Sequence, residues 1–273
     1  MKTLYSIVIF VFVSHSAISV SIDQGMAERI LKDTSYFLEF IDVAIANFGN
    51  EENRKSLREA NQFKFEAHLE YLQGNYVRSF KLIKASQEIL NQLYLKVVDY
   101  YLKDARDLLN ISAPIIVHAK DKKAQLFLRL GYRDLESTRQ FKDVGRNYTP
   151  YLYSNKIRYY IDSIKRARRS KRFAFLALLE SKTPLEEKEE YKTQTIDEAL
   201  RKVETEDISD YERVKNLLTN MLNRKLFLNK KNFFLHHDDN YALIHKGKTS
   251  VLKEVLEEEK KKQLEEQPEA EKK

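Results

Sequence analysis

The stretch FKFEAHLEYLQGNYVRSFKLIKAS, residues 63–86, has the pattern of two helices joined by a tight turn. Gly74-Asn75 marks the turn, since both residue types adopt turn conformations readily. Small residues on either side would let the two helices approach closely, and large side chains would fill the gaps between them. The small residues are Ala67, Ser79 and Ser86, and the large ones are Phe63, Tyr71, Tyr76 and Ile83. The stretch therefore predicts an antiparallel helical hairpin.

This hairpin resembles a single helix pair of the tetratricopeptide type. A second, fainter occurrence of the pattern consists of Ala124, Phe127, Leu128, Gly131 and Tyr132. The glycines Gly74 and Gly131 are 57 residues apart, whereas tandem repeats of this type recur about every 34 residues. The resemblance therefore implies a repeat-like fold at most, and an ordinary helical hairpin is the alternative.

Apolar residues recur at helical spacing through most of the chain, which predicts an all-α protein. Asn110 to Pro114 is expected to break the third helix, because proline lacks the N–H and disfavours helix in the residue before it. Gly131 is expected to end the fourth. We predict an elongated antiparallel array of about eight helices, at residues 24–48, 51–73, 76–109, 115–130, 134–144, 151–181, 185–204 and 210–228.

The helical domain is predicted to cover residues 21–228. Residues 229–251 change character: His236-His237-Asp238-Asp239-Asn240 lies between two short apolar runs, which indicates a short hairpin or an irregular segment. Residues 252–273 alternate blocks of Glu and Lys, which stay solvated and support at most a lone exposed helix. We expect a polar, charged and mobile C-terminal tail.

The composition excludes several protein classes. The 273 residues include no Cys, so a disulfide framework, a thiolate nucleophile and an iron–sulfur cluster are all excluded. Only six Gly and four Pro are present, which argues against a turn-rich sandwich, a barrel or a collagen-like chain. Lys and Arg number 48 against 41 Asp and Glu, a formal net charge of +7.

Residues 1–20 have the pattern of a cleaved secretory signal peptide. Lys2 precedes an apolar run over residues 4–13, and small residues follow at Ala17, Ser19 and Ser21. The run is about half the length that a bilayer-spanning helix needs; a short N-terminal core helix or strand is the alternative. We predict export to a bacterial periplasm with no transmembrane segment in the mature chain. There the positive charge points to proteins, anionic lipids or cell-wall polymers, and not to nucleic acid.

A basic run lies inside the helix predicted over residues 151–181. Six positive charges lie within the eight residues 165–172 and repel one another, so an arrangement for stability alone is unfavourable. One interpretation is a solvated face neutralised by the acidic residues 186–190. The other is a docking strip for an acidic partner, assisted by tyrosines, since Arg and Tyr are favoured at interface hot spots. The candidate partner-binding residues are Arg158, Lys165, Arg166, Arg168, Arg169, Lys171, Arg172, Tyr148, Tyr151 and Tyr153.

We predict that reversing Lys165, Arg169 and Arg172 to Glu leaves folding intact and weakens partner association.

The chain lacks the patterns of a catalytic or cofactor site. It contains no Gly-x-Ser-x-Gly, no Gly-rich phosphate loop and no His-Glu-x-x-His. His236, His237 and His245 with nearby aspartates could bind a divalent metal in principle, but adjacent His side chains rarely reach one ion together. We therefore expect no enzyme, no cofactor and no metal site.

Three segments, GRNYTP at residues 145–150, IRYYIDSIKRA at 157–167 and RFAFLA at 172–177, give the chain a family likeness. In these segments it resembles the flagellar coiling proteins of spirochaetes, secreted helical proteins that coat the periplasmic flagellar filament. The resemblance implies a non-enzymatic structural protein that contacts the filament core and other sheath proteins, assembles laterally and contributes to filament curvature and motility. The basic run would then be a sheath contact.

Two other functions remain open from the residues alone. One is a repeat-like periplasmic adaptor that binds an acidic peptide or a cell-wall polymer. The other is a hydrolase with a pair of carboxylates that no motif reveals, because acidic residues are plentiful throughout the chain.

Overall fold

A computed structural model describes residues 24–46, 49–182 and 250–266. Every secondary-structure element in these ranges is an α-helix, as predicted. The helices are α1 (24–46), α2 (Glu51–Leu72), α3 (Tyr76–His118), α4 (Lys122–Asn147), α5 (Tyr153–Lys182) and α6 (Val251–Glu266). The helices predicted over 185–204 and 210–228 lie outside the described residues, as do the signal segment and the possible hairpin.

The long helix α3 runs through both hydrophobic cores, and α1, α2, α4 and α5 pack against it. Its 43 residues extend over about 65 Å. Its N-terminal half shares one core with α1, α2 and α5, in which the fully buried Tyr94 donates a hydrogen bond from its hydroxyl to the Phe37 carbonyl at 2.6 Å. Its C-terminal half shares a second core with α4 and α5. The two cores lie along a single helix, which fixes α4 and α5 relative to the hairpin of α2 and α3.

The two predicted helix breaks are wrong, and residues 76–147 therefore hold two helices where the sequence predicted three. Helix α3 continues through Pro114, and α4 continues through Gly131. A proline inside a helix costs about 3 kcal/mol, but Leu109 and Ile116 on either side of it are fully buried against α4 and α5. Tertiary packing outweighs the local cost.

Gly131 is buried where α3, α4 and α5 meet, and it does not end a helix. A Cβ atom at this position would lie 2.7 Å from Leu109 Cδ2 and 3.3 Å from the Ser170 carbonyl oxygen. Both distances are shorter than ordinary van der Waals contact. Glycine is therefore present at residue 131 because the neighbouring helices approach it closely.

The hairpin predicted around Gly74 is confirmed. Gly74 has a φ of +79°, which favours glycine. The buried Ser79 and Ser86 of α3 donate hydrogen bonds from Oγ to carbonyls of α2, those of Ala67 and Ala60, each at 2.7 Å. The small side chains thus bring the helices close enough for a side chain of one to bond to the backbone of the other.

Helices α4 and α5 form a second hairpin, which is also held by serine hydroxyls that hydrogen-bond to the backbone of the facing helix. Ser163 Oγ donates to the Thr138 carbonyl, and Ser170 Oγ donates to the Gly131 carbonyl, each at 2.8 Å. In both hairpins the two serines and the two carbonyls are seven residues apart, which is two helical turns. The first of these hairpins was predicted from its small residues. In the second, a helix end was wrongly predicted at Gly131.

Helix α6 packs against α1 and α2, contrary to the mobile tail expected for residues 252–266. The buried carboxylate of Asp42 on α1 accepts hydrogen bonds from the Val251 and Leu252 amides at 2.9 and 3.3 Å and from the Ser250 hydroxyl. Arg54 and Arg58 of α2 form ion pairs with Glu254 at 2.7 and 2.9 Å, and Arg58 also reaches Glu258. Asp42 thus caps the N-terminus of α6 although it lies more than 200 residues away in the sequence.

Replacing Asp42 with alanine is expected to release α6 from the bundle. The substitution removes the acceptor for three donors at the helix N-terminus, a loss of about 2 kcal/mol, and a free helix of this length is only marginally stable in water. Hydrogen exchange should speed up at the backbone amides of residues 252–262 while α3 keeps its protection. Replacing the exposed Glu39 of α1 with alanine is the control. Unchanged exchange in α6 would contradict the assigned cap.

Candidate functional site

Positive charge is concentrated in the hairpin of α4 and α5. Helix α4 contains seven Lys and Arg against three Asp and Glu, and α5 contains nine against two. Helices α1 and α2 together carry six Lys and Arg against nine Asp and Glu. A single-sign field of this kind raises the local concentration of oppositely charged partners. The hairpin of α4 and α5 is therefore the first place to look for a binding surface.

Two of the candidate partner-binding residues lie in the interior, which corrects their assignment to an exposed strip. Lys171 is 1% exposed, and its Nζ hydrogen-bonds to Asp104 of α3 and lies 5.9 Å from the centre of the Tyr101 ring. Arg168 is 5% exposed. Both side chains face inward from α5, so they stabilise the fold and are not available to a partner.

The other five basic candidates remain at least partly exposed on α5. We refer to Arg158, Lys165, Arg166, Arg169 and Arg172 as the cationic strip. The acidic residues 186–190, expected as its counter-charge in one interpretation, lie outside the described residues. Partner binding by the strip stays a prediction.

Three members of the strip have partners that fix the positions of their charged groups. Arg158 forms an ion pair with Asp33 of α1 at 2.8 Å. Lys165 Nζ lies 5.8 Å above the Phe40 ring, and the Arg166 guanidinium lies 4.2 Å from the centre of the Phe141 ring. Cation–π contacts of this kind hold a charged group in place and leave its outer edge accessible.

A buried carboxylate holds two surface arginines together. Asp134 of α4 is 1% exposed and accepts hydrogen bonds at Oδ1 from Arg133 Nη2 at 3.2 Å and from Arg169 Nη2 at 3.1 Å. Arg169 Nε bonds to the second carboxylate oxygen. The two guanidiniums keep 65% and 42% of their side-chain surface exposed. Asp134 therefore brings two guanidiniums together at the surface around one buried carboxylate.

Sequence analysis missed Arg133 and Asp134. A usable signal existed: Asp134 falls among Leu128, Gly131, Leu135 and Thr138, all of which are buried on one face of α4. An acidic residue on a buried helical stripe needs a cationic partner. The sequence could therefore have predicted that some arginine reaches Asp134, although not which one.

The three candidate tyrosines lie together at the turn between α4 and α5, which we call the aromatic tip (residues 148–153). Tyr148 and Tyr153 are half-buried, whereas Tyr151 is 76% exposed and Leu152 is exposed beside it. Tyr151 has a φ of +67°, an uncommon conformation for a residue with a side chain. The turn thus projects one aromatic ring into solvent.

Lys84 of α3 contacts the aromatic tip through its ammonium group. Its Nζ donates a hydrogen bond to the Tyr151 carbonyl at 3.1 Å and lies 5.9 Å from the centre of the Tyr153 ring. Burial lowers the pKa of Lys84 and raises the pKa of Tyr153. Sequence analysis missed Lys84, which lies 67 residues from Tyr151 and belongs to another helix.

The described residues contain little that resembles a reaction centre. A cavity of about 60 Å³ between α1 and α3, lined by Ile45, Val97 and Tyr101 among others, has room for about two water molecules. Across residues 24–46, 49–182 and 250–266, no group of three acidic or histidine side chains is arranged to hold a metal ion. In the same ranges no helix has both the length and the apolar character needed to cross a bilayer. The histidines at 236, 237 and 245 lie outside the described residues.

Comparison with known proteins gives one family. Residues 21–270 match the family model described as surface protein adhesin OmpL37. No curated protein and no solved structure matches the chain. The match starts directly after the predicted signal segment and extends over α1 to α6. The family is described as one of surface proteins, which supports the predicted export, and the comparison shows no flagellar sheath family. The chain belongs to the OmpL37 family of surface protein adhesins.

Proposed function

We propose that this protein is an exported surface adhesin that binds a partner protein by direct contact and catalyses no reaction. The observation that carries the proposal is the match of residues 21–270 to a family of surface protein adhesins. The sequence supports it with a secretory signal pattern at residues 1–20 and with the lack of a catalytic motif. The function then depends on an outward surface and not on an enclosed pocket.

The aromatic tip is the surface best suited to hold a partner protein. Tyr151, Leu152 and the neighbouring Val144 are all exposed and apolar or aromatic, and tyrosine is enriched at interface hot spots. The hydrogen bond from Lys84 and the packing of Tyr153 keep the turn in one conformation, which reduces the entropy lost on binding. A non-glycine residue with positive φ stores strain, and strain of this kind clusters at functional sites.

Replacing both Tyr151 and Leu152 with serine is expected to reduce adhesion at least tenfold, since truncating a hot-spot side chain costs about 2 kcal/mol or more and about 1.4 kcal/mol is tenfold. Beads coated with the exported chain would be counted on a layer of cultured epithelial cells and on the matrix that those cells deposit. The control is Val117→Ser, a similarly exposed apolar position at the opposite end of α3. Equal adhesion of the two variants would exclude the tip as the contact site.

Surface location requires its own experiment. Intact producing cells would be treated with protease, and loss of the protein under conditions that spare a periplasmic marker would support the adhesin. Full protection would contradict surface exposure.

A role in the coat of a periplasmic flagellar filament is a second proposal, based on the resemblance in residues 145–150, 157–167 and 172–177. In that role α5, which contains most of those residues and the cationic strip, would make lateral contacts with sheath proteins, and the stiff helices would bias filament curvature. Purified periplasmic flagella should then contain the protein in stoichiometric amounts. Its absence from them, together with protease sensitivity on intact cells, would exclude this role and leave the adhesin.

A further inference from the structure

We infer that the cationic strip, together with Arg133, is a binding site for a linear anionic polysaccharide carrying sulfate or carboxylate groups. This site is separate from the aromatic tip, and the inference goes beyond the proposed function, because it assigns a second ligand of a different chemical class.

The spacing of the strip suits a linear ligand. Arg158, Lys165, Arg169 and Arg172 follow one another at intervals of seven, four and three residues, so they lie on one side of α5. The row spans 14 residues, or about 21 Å. Asp162 is the one acidic residue of α5 within this span. An extended chain with repeating negative groups can therefore contact several cations at once.

The charged groups are fixed before a ligand arrives. Arg158 is held by Asp33, Lys165 and Arg166 lie over aromatic rings, and Arg169 is held by Asp134. Long basic side chains ordinarily lose rotamer freedom on binding, which weakens the affinity. Side chains that already have a preferred position lose less, so each contact contributes more to binding.

The pair of Arg133 and Arg169 is the best-defined position for an anionic group. Both guanidiniums donate to Asp134 Oδ1, and the side chains of Arg133 and Arg169 keep 65% and 42% of their surface exposed. A guanidinium presents a planar fork of N–H donors that matches carboxylate and similar oxyanions bidentately. Two such forks lie beside each other near the middle of the row, around one buried carboxylate.

The composition of the strip favours a polysaccharide over an acidic protein. Protein interfaces place aromatic and apolar residues at their centre and charges at the rim. Within residues 153–178, α5 has no exposed large hydrophobic residue, and the nearest exposed ones, Tyr151 and Leu152, are at the tip. A row of cations without apolar residues matches a hydrated linear polyanion.

The test uses heparin as the probe and the exported chain, residues 21–273, so that the acidic residues 186–190 are present as competitors. Affinity would be measured in 150 mM salt for the unaltered protein, for Arg158→Gln with Lys165→Gln, and for the matched control Lys55→Gln with Lys103→Gln. Both double variants remove two exposed positive charges. We expect about a tenfold loss for the first and less than a twofold loss for the control.

Three outcomes would overturn the inference. Equal losses in the two double variants would mean that net charge alone attracts heparin. Poly-glutamate that binds as tightly as heparin and displaces it would mean that the strip accepts an acidic polypeptide. Unchanged heparin affinity in the strip variant would place the ligand elsewhere. Tyr151→Ser with Leu152→Ser should keep full heparin affinity while losing adhesion, so failure of this site and failure of the adhesin proposal give different results.

Discussion

Replacing Asp104 with alanine is expected to lower the free energy of unfolding by about 3 kcal/mol, because the change leaves the ammonium of Lys171 buried without its carboxylate. Lys171 is 1% exposed, and its Nζ hydrogen-bonds to Asp104. The pair joins α3 to α5 near the second core, where removal of one charge leaves the other desolvated. Chemical denaturation monitored by circular dichroism would measure the loss.

The controls separate a buried pair from an exposed one. Adding Lys171→Met to Asp104→Ala should restore most of the stability, since an apolar side chain of similar length replaces the unpaired charge. Glu52 pairs with Lys96 where both side chains are more than half exposed, so Glu52→Ala should change stability little. If Asp104→Ala were as mild as Glu52→Ala, Lys171 would not be buried in solution.

The parts of the fold that were predicted correctly depend on local sequence signals. Gly74 allows the turn, and Ala67 and Ser79 mark a close helix contact within a dozen residues of each other. The wrong predictions concern breaker residues whose effect tertiary packing overrides. Pro114 and Gly131 each weaken a helix locally, but the cores between α3, α4 and α5 hold both helices continuous. Local helix propensities do not include the packing energy of these tertiary contacts.

Distance along the chain also limited the prediction of α6 and of the strip. The blocks of Glu and Lys near the C-terminus give no sign that Asp42 caps residues 250–252. Helical spacing did place Arg158, Lys165, Arg169 and Arg172 on one face. It could not show that Lys171 faces inward, because its counter-ion Asp104 is 67 residues away.

Reversing Arg169 to glutamate is expected to destabilise the protein by about 3 kcal/mol, whereas Lys165→Glu should leave it nearly unchanged. Arg169 hydrogen-bonds to the buried Asp134 through two nitrogens, so glutamate would replace the partner of that carboxylate with a second negative charge. Lys165 is exposed and contacts only the face of Phe40 among its described partners. We therefore expect the triple reversal of Lys165, Arg169 and Arg172 to destabilise the fold, and not to leave it intact as the sequence alone predicts.

A double-mutant cycle tests whether repulsion from Asp134 causes the destabilisation by Arg169→Glu. In an Asp134→Asn background the neutral amide no longer repels a carboxylate and can donate to it, so Arg169→Glu should cost less than half of what it costs beside Asp134. Thermal and chemical unfolding of the four proteins in the cycle give the coupling directly. An equal cost in both backgrounds would show that the guanidinium stabilises α5 through its other contacts. In that case, variants of the cationic strip should still retain Arg169, because its contacts other than Asp134 would be the ones that stabilise the fold.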